Sequence, residues 1–79
     1  MLNNVNIVRR HEPYTKFKAY LDEKNIKQSE VARLIGKSKT ALNQKLNGTG
    51  GDFSISEIRI ICNEFNISCD EFFISQKVS

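Results

Sequence analysis

The sequence predicts an all-α fold, a compact domain of five short helices without strands. Apolar residues recur three and four positions apart in several segments, which is the spacing of one buried face of an α-helix. Serines that can begin helices, and glycines and asparagines that can end them, separate these segments. The length of 79 residues allows one domain with a small core.

The composition is that of an ordered globular chain, with 27% charged and 39% hydrophobic residues. No segment reaches the roughly 18 apolar residues of a membrane span, and the N-terminus lacks a secretory signal pattern. We therefore predict a cytoplasmic protein with no membrane contact. Cys62 and Cys69 are better explained as reduced, half-buried thiols than as a disulfide.

Residues 1–12 show no helical periodicity and are predicted to form a flexible N-terminal arm, followed by a domain over 13–75 and a tail over 76–79. Arg9 and Arg10 give the arm a local positive charge. Three alternatives remain open: an arm that contacts DNA, a short apolar segment packed on the domain or on a second subunit, and a terminus without a role.

The first helix is predicted to begin at Pro13, a residue suited to the first turn. Phe17, Tyr20 and Leu21 follow at helical spacing and should be buried. Asn25 can adopt the left-handed conformation that ends a helix.

The stretch from Gln28 to Asn47 is predicted to form two short helices joined by a turn at Gly36–Lys37. The first runs from Gln28 to Ile35, and Ser38 caps the start of the second. Leu42 and Leu46 give the second helix one apolar edge. Its other edge carries side chains that can pair with base edges and phosphates, so the helix suits the DNA major groove: Lys39, Thr40, Asn43, Gln44 and Asn47.

Two capping boxes predict the last two helices, Ser54 to Glu57 and Ser68 to Glu71. The fourth helix should bury one face, formed by Ile55, Ile58, Ile61, Cys62 and Phe65. The fifth carries Phe72 and Phe73 on one turn. They cannot both point the same way, so one should enter the core and the other should be free to contact a partner.

Charge is divided unevenly along the chain. From Lys24 to Lys45 there are six basic residues and one acidic residue, whereas residues 46–79 contain two basic and five acidic residues. A basic two-helix unit backed by acidic segments is suited to a polyanion on one face.

The order of these helices resembles the phage repressor/Cro-type helix-turn-helix domain, which has a lambda-repressor-like fold. The resemblance covers about residues 14–73 and includes the signals Gln28, Val31-Ala32, Ile35-Gly36, Ser38, Leu42 and Asn47-Gly48. It implies a small prophage-type regulator, a repressor, that binds double-stranded DNA as a homodimer. It implies no cofactor, metal or small-molecule ligand.

The resemblance, with the chemistry of the side chains, assigns roles to individual residues. The predicted base-reading residues are Lys39, Thr40, Asn43 and Gln44. The predicted phosphate contacts are Lys27, Gln28, Lys37, Ser38, Lys45 and Asn47, and the predicted dimer or partner contacts are Phe72, Phe73 and Ile74. The chain departs from the family pattern at Lys27, where a Ser or Thr cap is usual, and at Asp52, which lies in a loop that is often basic.

An enzyme is not expected, because His11 is the only histidine and no Cys, His or Asp cluster has metal-ligand spacing. The competing hypothesis is a protein-interaction module on the same fold: an antirepressor, an antitoxin or the partner of another regulator. In that case the Phe72–Ile74 end would be the working surface and DNA binding would be weak.

Overall fold

The computed structural model describes residues 10–75, and this range contains five helices and no strand. The helices are α1 (Thr15–Glu23), α2 (Gln28–Leu34), α3 (Lys39–Asn47), α4 (Ile55–Phe65) and α5 (Asp70–Ile74). The predicted all-α, five-helix fold is confirmed. Residues 1–9 of the predicted arm, including Arg9, and the predicted tail 76–79 lie outside the described residues.

α1 begins after Pro13 rather than at it, and the Tyr14 carbonyl accepts a hydrogen bond from the Lys18 N–H at 3.0 Å. The helix is closed by Asn25, whose φ of 58° is the predicted left-handed conformation. This reversal lets the Ile26 N–H donate to the Leu21 carbonyl at 2.9 Å. One of the last carbonyls of the helix is thereby satisfied.

The turn between α2 and α3 has the predicted geometry. Gly36 has a φ of 71°, and the Lys37 N–H returns to the Ala32 carbonyl at 2.9 Å. Ser38 then caps α3, because its Oγ accepts from the Ala41 N–H at 3.0 Å. The residue before α2 is Lys27, whose side chain has no hydrogen-bond acceptor and cannot cap the helix. The Lys27 backbone N–H instead donates to Glu30 Oε1 at 3.1 Å.

α4 opens with the predicted capping box. Ser54 Oγ accepts from the Glu57 N–H at 3.1 Å, and Glu57 Oε1 accepts from the Ser54 N–H at 3.0 Å. Asn66 ends the helix with a φ of 56°.

α5 is a single wide turn of π-helix in which the Ser75 N–H donates to the Asp70 carbonyl at 2.7 Å.

The core is formed by residues of all five helices and of the loop before α4, and it is rich in aromatic rings. Phe73 is only 5% exposed, and its ring centroid lies 4.9 Å from that of Phe17 and 5.4 Å from that of Phe53. Its assignment as a dimer or partner contact is therefore wrong, because the side chain is the centre of the aromatic core. Phe72 is half-buried against Tyr20 at 5.3 Å, so the predicted divergence of the two rings is confirmed.

The prediction that Ile55 is buried is wrong, since 59% of it is exposed. Ile58, Ile61 and Cys62 on the same helix are buried as expected. Ile55 is the first residue of α4, and it points away from the side of that turn on which Glu57 and Ile58 are buried. Within residues 10–75, none of the helices combines the length and the apolar character needed to cross a bilayer.

Candidate nucleic-acid interface

The two edges of α3 differ as the sequence predicts. Leu42 and Leu46 are completely buried and anchor the helix in the core. The four predicted base-reading residues are all exposed on the opposite edge: Lys39, Thr40, Asn43 and Gln44. The polar edge of α3 from Lys39 to Gln44 is therefore accessible to a ligand.

An open depression of about 470 Å³ lies between the end of α1, the start of α2 and the start of α3. It brings together two predicted phosphate contacts, Lys27 and Gln28, and two predicted base readers, Lys39 and Asn43. The sequence reasoning did not include Asp22, an exposed carboxylate that lines the same depression. The basic rim of the site is thus interrupted by one acidic group.

A chain of side-chain hydrogen bonds connects three helices beside this depression. The Asn43 amide donates to Gln28 Oε1 at 3.3 Å, which joins α3 to the start of α2. The Asn47 amide donates to Asn43 Oδ1 at 3.1 Å, and Lys18 donates to Asn47 Oδ1 at 2.5 Å. The amide of Asn47 is thus used within the chain, which does not agree with its predicted role as a phosphate contact.

Lys45 is also used within the chain. Its side chain is 12% exposed and its Nζ lies 3.2 Å from Glu57 Oε1. The same ammonium donates to the Asp52 carbonyl at 2.8 Å and lies 5.8 Å from the centroid of the Phe53 ring. Since its charge is matched by a buried carboxylate, the prediction that Lys45 binds phosphate does not agree with the structure.

Lys37, just before α3, has a different environment. Its Nζ lies 3.9 Å from Glu57 Oε2, and its side chain is 47% exposed. An ion pair at this distance and exposure is weak, so the ammonium can exchange it for another anion at little cost. Ser38 is exposed and caps α3 through its oxygen, which leaves its hydroxyl hydrogen available to a phosphate.

Gln44 lies against the glycine-rich loop that follows α3. A Cβ placed on Gly50 would come within 2.7 Å of Gln44 Oε1 and 2.8 Å of Gln44 Cβ. Because Gly50 has no side chain, its backbone can lie close to Gln44 on the polar edge of α3. This contact orients Gln44 while leaving it exposed.

Residues 10–14 cross the C-terminal end of α3. The Arg10 and His11 N–H groups donate to the Gly48 carbonyl, and the Tyr14 N–H donates to the Leu46 carbonyl at 2.8 Å. Gly48 has a φ of 77°, and a Cβ there would lie 2.1 Å from the His11 carbonyl oxygen. The last part of the predicted arm is thus packed on the domain, and Arg10 is exposed beside the end of α3.

The Asp52 carboxylate contacts two side chains of residues 10–14, those of Tyr14 and His11. Its Oδ1 accepts from the Tyr14 hydroxyl at 2.5 Å and from the Phe53 N–H at 2.7 Å. His11 Nε2 lies 3.7 Å from the same oxygen and 3.2 Å from the Gly51 carbonyl oxygen. Burial of the Tyr14 hydroxyl, together with its bond to Asp52, raises the pKa of that hydroxyl above its usual range.

Sequence reasoning missed the structural roles of Glu57, Asp52 and His11. The capping box identified Glu57 as a helix-start residue but gave no sign of its pairing with Lys45. His11 and Asp52 are separated by about half of the chain, so no local spacing could have joined them. Among residues 10–75, no cluster of three or more His, Cys, Asp or Glu side chains has metal-binding geometry.

Comparison with protein families gives one relevant finding. A family model described as helix-turn-helix matches residues 17–72, which is more than half of the chain. Neither a curated protein nor a solved structure matches the chain.

Proposed function

The chain belongs to the Cro/repressor-type helix-turn-helix family of DNA-binding regulators, and we propose that it represses transcription by inserting α3, with its cap Ser38, into the major groove of a specific operator. In this proposal the bound protein occupies the operator and excludes other proteins from it. Double-stranded DNA is the proposed partner, with no cofactor or small-molecule ligand.

The observation that carries this proposal is the division of α3 into a buried and an exposed edge. Leu42 and Leu46 are fully buried, while the exposed edge carries amide, hydroxyl and ammonium groups. A major groove admits one α-helix, and the donors and acceptors of that helix can pair with base edges. The exposed edge of α3 has this chemistry and no apolar residue that would favour a protein ligand.

The proposed base contacts follow from the side-chain groups. Lys39 can donate to guanine O6 and N7, and the Thr40 methyl group can pack against a thymine methyl group. Asn43 and Gln44 carry amides that can pair with adenine. The hydrogen bond to Gln28 Oε1 restrains the Asn43 amide before DNA arrives, and Gln44 lies close to Gly50.

The proposed phosphate contacts surround this edge. Lys27, Gln28, Lys37 and Ser38 lie at the starts of α2 and α3, and they would set the register of the helix on the duplex. Arg10 lies beside the other end of α3 and would contact a phosphate there. Arg9, the other predicted arm contact, lies outside the described residues.

We further propose that two copies bind a twofold operator, with half-sites about one helical turn apart. Among the residues from 10 to 75, Lys45 is paired internally and the Asp22 carboxylate lines the depression beside Lys39, so a second subunit would add cations that one copy does not offer. Phe72, which is half-buried, and Ile74, which is 61% exposed, are the proposed subunit contacts.

The proposal is tested by selecting binding sites from a random DNA pool with the full chain. We expect a twofold-symmetric consensus, and steep weakening of its binding as salt is raised. Recovery of no preferred sequence, with equal binding to all duplexes, would contradict the proposal. Retention of no DNA at low salt by a chain that captures a protein regulator would favour the interaction-module hypothesis instead.

Two neighbouring lysines provide a matched pair of variants for the same assay. Lys39→Met should cost about 1–3 kcal/mol on the consensus and relax the preference at one base pair. Lys37→Met removes the same charge but should weaken consensus and random DNA alike and reduce the salt slope by about 0.9. If both variants weaken all sequences equally, Lys39 does not read a base.

A further inference from the structure

Cys62 and Cys69 line one open depression of about 410 Å³ on the face formed by α4 and the segment leading to α5. Both are free thiols. Asn66 reverses the chain between them, and the Ile67 N–H donates to the Cys62 carbonyl at 3.0 Å. This reversal folds Cys69 back against the helix that carries Cys62.

The two thiols differ in accessibility. Cys62 is 6% exposed, whereas Cys69 is half-buried and packs at the edge of the core. Burial and the neighbouring Cys69 thiol raise the pKa of Cys62 to about 12, so this thiol stays protonated at neutral pH. A reagent entering from solvent therefore meets Cys69 as the reactive thiol and Cys62 behind it.

We propose that Cys62 and Cys69 form an oxidisable dithiol whose oxidant is hydrogen peroxide and whose product is an intramolecular disulfide. The Cys69 thiolate sulfur attacks one peroxide oxygen, the O–O bond breaks, and hydroxide leaves and is protonated to water. Cys69 is then a sulfenic acid. The Cys62 sulfur attacks the Cys69 sulfur, the Cys62 proton and the departing hydroxide form a second water, and the S–S bond is complete.

The disulfide would fasten the segment before α5 to α4. α5 carries Phe73, whose ring packs against those of Tyr14 and Phe17 in the core. A bond between groups that are already neighbours constrains mainly the unfolded chain. The oxidised protein should therefore be more stable than the reduced protein. This difference in thermal stability can be measured in the absence of DNA.

The test treats the reduced full-length chain with a small excess of hydrogen peroxide and follows intact mass, free thiols and thermal unfolding. We expect a monomeric product lighter by two hydrogens, with no free thiol and with a Tm raised by about 5 °C or more. A thiol reductant should reverse all three changes. Oxidation to disulfide-linked dimers, loss of thiols only after unfolding, or a lowered Tm would each overturn the proposal.

Two single variants test the order of the steps. In Cys62→Ala, peroxide should leave Cys69 as a sulfenic acid that dimedone traps. In Cys69→Ala, the remaining thiol of the folded protein should give no dimedone adduct, because it is buried and protonated. Equal trapping in both variants would overturn the assignment of Cys69 as the reactive thiol. Circular dichroism establishes that each variant is folded, and the wild-type mass measurement stands without them.

Discussion

The two ends of α3 have opposite environments. At its start, Lys37, Ser38, Lys39 and Thr40 are all exposed. At its end, the helix is held on several sides: Lys45 by Glu57, Asn47 by Lys18, and the carbonyls of Leu46 and Gly48 by residues 10–14. The free end has polar groups available for a ligand, and the held end fixes the direction in which they point.

Lys37 and Lys45 illustrate the difference between the two ends of α3. Both lysines are near the same carboxylate, that of Glu57, at 3.9 and 3.2 Å. The Lys45 side chain is 12% exposed and that of Lys37 is 47% exposed, so solvent effectively screens only the Lys37–Glu57 pair. The two lysines share a neighbour but differ in role: Lys45 stabilises the fold, whereas the ammonium group of Lys37 is accessible to a ligand.

The largest expected effect concerns the held end. Gly48→Ala would place a Cβ 2.1 Å from the His11 carbonyl oxygen, at a φ of 77°. The left-handed conformation costs about 1–2 kcal/mol for alanine, and displacing residues 10–12 should add about 1–3 kcal/mol. Urea unfolding measures the loss of unfolding free energy.

Gly36→Ala is the matched control for that variant, because Gly36 has a φ of 71° and nothing within 4 Å of the added Cβ. It should show only the conformational cost of about 1–2 kcal/mol. Equal losses in the two variants would mean that residues 10–12 do not pack on Gly48.

An intermediate effect should separate the two lysines. Lys45→Met leaves the buried Glu57 carboxylate without its closer cation and should reduce the free energy of unfolding by about 2 kcal/mol. Lys37→Met should change it by less than about 0.5 kcal/mol, since that pair is exposed. Urea unfolding of both variants at one pH measures the two losses of unfolding free energy. A larger loss in Lys37→Met than in Lys45→Met would contradict the distinction between the two ends of α3.

At neutral pH, an effect smaller than that of Lys45→Met concerns the segment that crosses the end of α3. Tyr14→Phe removes the hydrogen bond to Asp52 and should cost about 1 kcal/mol. The raised pKa of Tyr14 means that the folded state keeps a proton that the unfolded state loses above about pH 10. Stability contributed by this group is therefore present below that pH and is lost as pH rises beyond it.

Thermal unfolding of wild type and Tyr14→Phe across this alkaline range tests the pH dependence. The wild type should lose stability more steeply than the variant, so that the difference between them shrinks. Parallel curves would show that burial and the bond to Asp52 do not keep the Tyr14 hydroxyl protonated in the folded state.

The five helices and the division of α3 into a buried and an exposed edge could be predicted from local rules. Ser54 with Glu57, and Ser38 alone, satisfy backbone amides within one turn, while Asn25 and Asn66 adopt the left-handed conformation at helix ends. The polar and apolar edges of α3 follow from the helical period, so the exposed site edge was predictable as well.

Which of the polar side chains near α3 remain free depends on the packing of the helices. Lys45 is paired because α4 places a buried carboxylate beside it, and Asn47 is used because α1 places Lys18 there. Phe73 rather than Phe72 enters the core because the wide turn of α5 directs it toward Phe17 and Phe53. These outcomes depend on residues far apart in the chain, whose distances are set by packing and not by spacing in the sequence.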